Sequence, residues 1–137
     1  MDEKLSKALD FGNFSTTLDN QRRMLKEKFI TDTLHFTNGG QFSIDKELVN
    51  YVNLLVQTGQ DSTVITDDND TPVQIDNVED FYSDISSKYF SALNEYHSEY
   101  SKLEKQRSID GLVEWQMVYS YSHITMNRLI MWLRRVF

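Results

Sequence analysis

Apolar side chains recur at helical spacing along much of the chain, and the clearest run lies in its second half. Its members follow one another at steps of three or four residues: Val78, Tyr82, Ile85, Tyr89, Leu93, Tyr96, Tyr100 and Leu103. Such steps place side chains on one face of an α-helix. The pattern predicts a long helix over residues 77–106, with Asp76 and Glu79 as an acidic cap. Because the stripe is rich in tyrosine, we expect this face to be half-buried.

Helical periodicity also marks the first part of the chain. It predicts a short helix around Leu5–Leu9, a break at Gly12-Asn13 and a second helix from Ser15 to His35. The sequence Asn38-Gly39-Gly40 is expected to end that second helix, since asparagine and glycine tolerate the left-handed conformation of a helix end.

Shorter signals fill the middle of the chain. Residues 41–44 alternate in polarity and predict a strand. Asp45 is a good cap for a helix over residues 46–58, and Gly59 is a good stop for it.

Two β-prone runs follow that helix and are separated by an Asp/Asn-rich turn. Residues 63–66 and 72–75 therefore predict a β-hairpin, with Pro72 at the first position of its strand. The predicted fold class is α+β and mostly helical, with a small β-hairpin, one long amphipathic helix and a C-terminal amphipathic helix.

Composition divides the chain into two parts. The whole chain has a net charge of −7, yet residues 115–137 contain three arginines, two tryptophans and no acid. We therefore predict an acidic α+β body over residues 1–114 and an apolar, basic helix over residues 115–137. Polar residues near the centre of this tail argue against a membrane span. The tail is either the last core helix or a helix that docks on a partner, and we expect it to serve association more than folding.

The charge balance also limits the classes of partner. Phosphate binding needs clustered lysine or arginine, so an acidic body disfavours direct binding of nucleic acid. The first residues lack the apolar segment of a signal peptide, which suggests a cytoplasmic protein. There is no cysteine, so disulfides and thiolate metal sites are excluded.

Motifs for catalysis are missing from the sequence. The three histidines, His35, His97 and His123, are too far apart along the chain to form a local ligand pair. The acids between Asp68 and Glu79 have the spacing of a calcium-binding loop, but Pro72 and Val73 stand where such a loop needs a ligand and a glycine. We predict no catalytic, cofactor-binding or metal-binding residues, and so no enzyme.

Four segments carry a resemblance to a known family: ALDFGNFSTTLDNQRRMLKEKF, NGGQF, DDNDTPVQI and EKQRSIDGLVEW. Over residues 5–115 the chain resembles small prohead core proteins of T4-type tailed phages, cyanophages among them. The prohead core is the internal scaffold around which the capsid shell assembles. The resemblance implies a structural protein located in the host cytoplasm, within the assembling phage head.

The resemblance also implies a processing site. The maturation protease of such phages cuts after the glutamate of Ile/Leu-x-Glu, a pattern found at residues 93–95 and again at Leu112, Val113 and Glu114. The second match is the better candidate, because Gly111 predicts a break where a protease could bind an extended strand.

These observations lead to a non-enzymatic head-assembly protein, acting on other head proteins or on itself through protein–protein contacts. Homo-oligomerisation is left open. The predicted contact residues lie on the tyrosine stripe and the tail: Tyr82, Tyr89, Tyr96, Tyr100, Trp115, Trp132, Arg134 and Arg135. The alternative is a small acidic regulator that covers a basic surface of a host enzyme acting on nucleic acid. It is motivated by the absence of lysine and arginine from residues 47–87.

Overall fold

A computed structural model describes residues 2–120 and Arg135. Among these residues the chain is mostly helical with two antiparallel hairpins, which confirms the α+β class. It divides into two compact units. Unit 1 combines Met1–Met24 with Glu99–Phe137, and unit 2 is the continuous stretch Leu25–Ser98.

The elements follow one another in a simple order. They are α1 (Asp2–Asp32), β1 (Leu34–Thr37), β2 (Gly40–Ser43), α2 (Lys46–Gln57), β3 (Thr63–Thr66), β4 (Pro72–Ile75) and α3 (Val78–Glu104). Residues 109–120 are also helical, and we call them α4. Strand β1 pairs with β2, and β3 pairs with β4, both antiparallel.

The start of the chain is one helix, so the predicted break at Gly12-Asn13 is wrong. Gly12 lies inside α1, where a Cβ atom would meet nothing within 4 Å. A glycine inside a helix costs only about 1 kcal/mol relative to alanine. Because helix propagation is cooperative, one such residue does not end a helix that has good formers on both sides.

Helix α1 ends at Asp32, before the predicted His35. The hydroxyl of Thr33 donates to the carbonyl oxygens of Phe29 at 2.9 Å and Ile30 at 3.1 Å. These bonds satisfy carbonyl groups that the helix end leaves without partners. His35 therefore lies in β1 rather than in a helix.

The Asn-Gly-Gly sequence is a hairpin turn, not a helix stop. Asn38 and Gly39 have φ angles of 48° and 80°, and Thr37 pairs with Gly40. Two residues with positive φ between paired strands form a type I′ turn, for which Asn-Gly is the strongest short signal. The predicted strand at 41–44 is confirmed as β2, and it has a partner, β1, that the sequence analysis assigned to a helix.

Helix α2 follows its prediction. The Asp45 carboxylate accepts a hydrogen bond from the N–H of Leu48 at 2.7 Å, which caps the first turn. Gly59 has a φ of 79° and its N–H donates to the carbonyl of Val56 at 3.1 Å. Both the cap and the stop are confirmed.

The second hairpin is also confirmed, with Pro72 opposite Thr66 at the first position of β4. Its turn begins where the N–H of Asp67 donates to the carbonyl of Thr71 at 2.9 Å. Asp70 has a φ of 58°. A loop with a left-handed residue before the second strand is a common hairpin connection.

One apolar core holds unit 2 together. Its buried members come from both hairpins, α2 and α3: Phe42, Ile44, Val49, Val52, Ile65, Val73, Ile75, Val78, Phe81, Ile85 and Tyr89. Phe42 and Phe81 pack edge to face with their ring centroids 5.4 Å apart. Gly40 is buried here, and a Cβ atom at that position would lie 2.6 Å from a methyl carbon of Val73.

Helix α3 is confirmed as a long helix, but its cap differs from the prediction. The side-chain oxygen of Asn77 accepts from the N–H of Asp80 at 3.0 Å, so Asn77 is the cap and Asp76 lies outside the helix. The buried face includes Phe81 and Ala92, whereas Leu93 is 39% exposed. The buried face therefore keeps Ile85 and Tyr89 as predicted, but uses Phe81 and Ala92 at the positions where Tyr82 and Leu93 were expected.

Unit 1 is helical over its described residues except at 105–108. Leu103 and Leu112 are fully buried, and Trp115 and Gln21 are nearly so. Ser108 is the N-cap of α4, because its hydroxyl accepts from the N–H of Gly111 at 3.1 Å. The break predicted at Gly111 thus lies at residues 105–108.

Candidate functional site

Three tyrosines of the predicted contact surface pack within unit 2. Tyr89 is 8% exposed, and its ring centroid lies 6.2 Å from that of Phe29. Tyr96 is half-buried and meets Phe29 edge on at 5.3 Å. Tyr82 packs against the unit 2 core. These rings contribute to the fold of their own unit, which leaves little of the stripe for a partner.

Tyr100 belongs to unit 1 and is also half-buried. The guanidinium carbon of Arg22 lies 5.5 Å from the centre of its ring. This is the geometry of a cation–π contact, worth about 0.5–1 kcal/mol at an exposed site.

An ion-pair network lies beside the stripe in unit 2. The Lys28 ammonium contacts the carboxylates of Asp32 and, at 3.1 Å, Glu95. Burial lowers the pKa of Lys28, but hydrogen bonds and charge attraction from the two acids outweigh burial and raise the pKa overall. The lysine therefore stays protonated and serves as a structural cation, not as a base.

Trp115 was expected to contact a partner, but it is packed into unit 1. It is 7% exposed, and its indole N–H donates to Glu99 Oε2 at 2.9 Å. Its ring stacks on that of Tyr119 with centroids 5.0 Å apart. The predicted boundary between residues 114 and 115 falls inside α4, so the beginning of the tail helps to form the unit 1 core.

The predicted processing site is helical rather than extended. Leu112 is fully buried, and its carbonyl accepts from the side-chain amide of Gln21 at 2.9 Å. Val113 is 46% exposed, and Glu114 is exposed as well. A protease that binds an extended strand would reach these residues only after α4 unfolds locally.

The remaining tail predictions fall largely outside the described residues. Trp132 and Arg134 lie there, while Arg135 is helical and exposed. A role for these three residues in contacts stays a prediction.

An apolar surface in unit 1 was missed by the sequence analysis. Residues 2–13 of α1, which we call the N-terminal arm, are all exposed. Leu5, Leu9 and Phe11 are 61%, 59% and 73% exposed. The sequence signal was present in these apolar residues, but a break at Gly12 hid the fact that the arm continues a long helix.

A groove of about 750 Å³ adjoins the arm in unit 1. Apolar side chains from α1 and α4 line it, namely Phe11, Phe14, Leu18 and Ile109. Charged and polar residues complete the lining: Asp10, Arg22, Glu104, Gln106, Arg107, Ser108 and Asp110. A lining that combines apolar side chains with charged and polar ones is common in protein-binding sites.

Unit 2 carries a second, acidic pocket of about 270 Å³. Asp61, Asp76 and Glu79 supply its carboxylates. It lies at the open end of the β3–β4 hairpin, since Asp61 precedes β3 and Asp76 follows β4. Among residues 2–120 and 135, no group of three histidine, aspartate or glutamate side chains is placed to hold a metal ion.

The acids of the hairpin turn have a structural role. Asp67 accepts hydrogen bonds from the N–H groups of Thr71, Gln41 and Asn69 at 2.9–3.1 Å. The bonds from Thr71 and Gln41 lower the pKa of the Asp67 carboxyl most, against the raising effect of burial. Asp68 is engaged with Ser43. The hydrogen bonds from Gln41 and Ser43 join the β1–β2 hairpin to the turn of the β3–β4 hairpin.

Among residues 2–120 and 135, no hydrogen bond joins the His35 ring to an acid. Burial lowers its pKa, the positive charge of Lys88 lowers it further, and Asp84 opposes both effects. Its ring packs 5.7 Å from that of Phe81. A neutral histidine against an aromatic ring is a packing residue.

The chain was compared with models of protein families, with curated proteins and with solved structures, and none of the three comparisons found a match. Within residues 2–120, no helix combines the length and the apolar character that crossing a bilayer requires.

Proposed function

We propose that this chain is a non-enzymatic assembly protein, a component of the internal scaffold of an assembling phage head. The observation that carries the proposal is the N-terminal arm of unit 1, where Leu5 and Leu9 lie one helical turn apart on the same face and are 61% and 59% exposed. Phe11, 73% exposed, lies on another side of α1 and lines the groove. Neighbouring exposed apolar side chains of this size are typical of sites that bind other proteins. The resemblance to prohead core proteins supports the idea that this surface acts during assembly of a phage head.

The expected partners are other head proteins or further copies of the chain. Full burial of each large apolar side chain contributes about 1.5–3 kcal/mol, before the costs of association are subtracted. An interface of a few such side chains is weak on its own, and many copies would add their contributions. Weak repeated contacts suit a scaffold that is dismantled after the shell closes.

Two further features belong to the proposal. The net charge of −7 disfavours direct contact with nucleic acid, so the scaffold would act before DNA enters the head. The place of action is the host cytoplasm, within the assembling head. Cleavage after Glu114 would follow local unfolding of α4 and would separate the tail from the rest of the chain.

Affinity capture from infected cells tests the proposal through the N-terminal arm. We expect the double substitution Leu5→Ser with Leu9→Ser to lose most of the head proteins that the wild type captures. The matched control is Lys4→Ser with Lys7→Ser on the same helix, which removes only an exposed ion pair between Lys7 and Glu3. If both variants capture the same proteins as the wild type, the arm is not the contact surface.

Mass spectrometry of purified particles tests the setting itself. The protein should be abundant in proheads and should be absent or cleaved in mature heads. Intact protein in mature virions and none in proheads would contradict a scaffold role.

The acidic pocket favours a second candidate function, a regulator that binds a basic surface of a host enzyme. The carboxylates of Asp61, Asp76 and Glu79 converge on it, and residues 47–87 contain no lysine or arginine. Binding of this kind weakens steeply with salt, because exposed charges are screened over about 8–10 Å at physiological ionic strength. Capture from host lysate at low and high salt distinguishes it: a nucleic-acid enzyme released by salt supports the regulator.

A further inference from the structure

The two sheets of unit 2 have only two strands each, so every strand has one outer edge with backbone groups that could pair with another chain. The outer edge of β2 is blocked by the neighbouring hairpin. The N–H groups of Gln41 and Ser43 donate to the carboxylates of Asp67 and Asp68 at 3.1 and 3.0 Å. The N–H of Asp68 donates to the Gln41 carbonyl at 2.9 Å.

The edges of β1 and β4 also carry obstacles to pairing. The ammonium of Lys88 donates to the carbonyl of Leu34 on β1 at 3.1 Å. On β4, Pro72 has no N–H, and the carbonyl of Gln74 accepts from the side chain of Asn38 at 2.7 Å. Lysine, proline and side-chain bonds of this kind are known protections of sheet edges.

The outer edge of β3 lacks these protections. The Asp67 N–H donates to the Thr71 carbonyl, so residues 67 and 71 form a hydrogen-bonded pair. Because hydrogen-bonded and non-hydrogen-bonded pairs alternate along an antiparallel ladder, Ile65 and Thr63 also direct their N–H and C=O groups toward β4. The N–H and C=O groups of Val64 and Thr66 therefore point away from β4. None of the hydrogen bonds among the described residues uses these four groups.

The side chains of β3 are also suited to pairing. The strand sequence Thr-Val-Ile-Thr is uncharged and β-branched throughout, which favours extended backbone. Val64 is 53% exposed. An uncharged edge strand with an exposed apolar side chain is a template for another strand.

Acidic residues lie close to both ends of β3 in the sequence. Asp61 precedes the strand and Asp70 follows it, and both are exposed. The acidic pocket lies at the open end of the same hairpin. Since residues 47–87 contain no lysine or arginine, the charges near both ends of β3 are of one sign.

We propose that the free edge of β3 binds, by strand addition, an extended basic segment of a partner protein. The segment has an uncharged, β-branched or apolar centre that pairs with Val64 and Thr66, and lysine or arginine on its flanks that meets the acids beside β3. Backbone pairing supplies affinity in this mode of recognition, and the flanking charges supply selectivity.

A second copy of the chain is a poorer occupant than a basic segment. Antiparallel pairing of two β3 strands would place Asp61 of one copy beside the acidic turn at 67–70 of the other, twice over. Like charges placed across strands destabilise a sheet. The inference rests on the proposed protein-binding function and names the chemistry of one partner segment.

Peptide binding to the purified full-length protein tests the inference apart from any role in head assembly. The probe is a fluorescein-labelled peptide, Lys-Lys-Thr-Val-Thr-Val-Thr-Lys-Lys, measured by fluorescence anisotropy. We expect saturable binding that weakens at high salt. A peptide with glutamate in place of lysine should bind at least about tenfold more weakly.

Two blocked forms test the backbone pairing. Val64→Pro removes an outward N–H that the hairpin itself does not use, so the hairpin should form while peptide binding falls at least about tenfold. Val64→Thr retains the N–H and the β-branched shape, and should bind as the wild type does. The same peptide N-methylated at all five central residues has no N–H there to donate from either edge and should not bind, which tests the edge even if Val64→Pro fails to fold.

Amide hydrogen exchange gives the location. Binding of the lysine peptide should slow exchange at Val64 and Thr66. Equal binding of the N-methylated peptide, or slowing of exchange elsewhere only, would overturn strand addition. A wild-type dimer in sedimentation that Val64→Pro converts to a monomer would show that a second copy occupies the edge, and would overturn the assignment to a basic segment.

Discussion

Unit 2 and unit 1 of the same chain bury their apolar residues to different degrees. Unit 2 is continuous, from Leu25 to Ser98, and both hairpins, α2 and most of α3 contribute to one core. The described part of unit 1 buries Leu103, Leu112 and Trp115, yet it leaves Leu5, Leu9 and Phe11 largely exposed. Unit 2 also leaves large apolar side chains exposed, Ile30 and Phe90 among them, but its elements share one core. The arm of unit 1 is exposed at every position from 2 to 13. A helical segment that buries none of its apolar side chains is the better candidate for a binding surface.

The largest effect is expected from Phe42→Ala, at the centre of the unit 2 core. Phe42 is 2% exposed and packs against Phe81. Removing such a ring should lower the free energy of unfolding by about 3–5 kcal/mol, measured by urea denaturation. Phe36→Ala in the paired strand is the matched control, because Phe36 is 67% exposed and should change stability by less than about 0.5 kcal/mol. Equal losses in the two variants would contradict this core.

Leu112→Ala is the corresponding test in unit 1. Leu112 is fully buried, so the substitution should cost about 2–5 kcal/mol of local stability. Hydrogen exchange should accelerate at residues 109–120 and stay unchanged in β3 and β4. Val113→Ala, at a 46% exposed neighbour, controls for the change in the helix itself. Accelerated exchange in both units would mean that they unfold as one.

A smaller effect is expected from Glu99→Gln. The Glu99 carboxylate is 16% exposed and accepts from the Trp115 indole at 2.9 Å. A hydrogen bond to a charged group contributes about 1.5–3 kcal/mol, part of which the neutral amide oxygen keeps, so we expect a loss of about 1 kcal/mol in thermal unfolding. Glu104→Gln, at an exposed position on the same helix, should be neutral. An unchanged melting temperature for Glu99→Gln would show that the hydrogen bond to Glu99 does not hold Trp115 in place, and Trp115 would again be a candidate contact residue.

The smallest effect, and one that depends on pH, is expected from Asp67→Asn. The folded-state pKa of Asp67 lies below the ordinary value of 3.8, so its carboxylate stabilises the fold above that pH. This contribution is lost as the pH falls through the lowered pKa. The variant should therefore be less stable than the wild type at pH 7, and the difference should shrink below pH 3.8. Asp70→Asn is the control, because asparagine also tolerates the positive φ of that position.

Local signals predicted much of unit 2. Asp45 and Gly59 delimited α2 because a cap and a stop act within one turn of the helix. The β-prone runs around the acidic turn predicted the second hairpin, because strand propensity and turn residues are also local signals. Asn38-Gly39 was misread, although this pair is a hairpin signal, because helical periodicity upstream suggested that the helix continued.

Unit 1 was less predictable because its core depends on contacts between distant parts of the chain. Gln21 and Leu112 are joined by a hydrogen bond across 91 positions. The sequence around Trp115 does not indicate whether its side chain packs beside Glu99 or against a partner. The exposure of Phe11 likewise depends on what packs beside α1, which periodicity alone does not reveal.

The order of the chain has a consequence for its synthesis. The segment Met1–Met24 of unit 1 is made before unit 2, and the remaining part of unit 1 begins only at Glu99. Making the residues between them takes about 4–15 s at about 5–20 residues per second. Unit 2 can fold within that interval, whereas the groove lined by Phe14 and Leu18 is complete only after Ile109 has been made. The arm is thus accessible to a partner before Ile109 has been made.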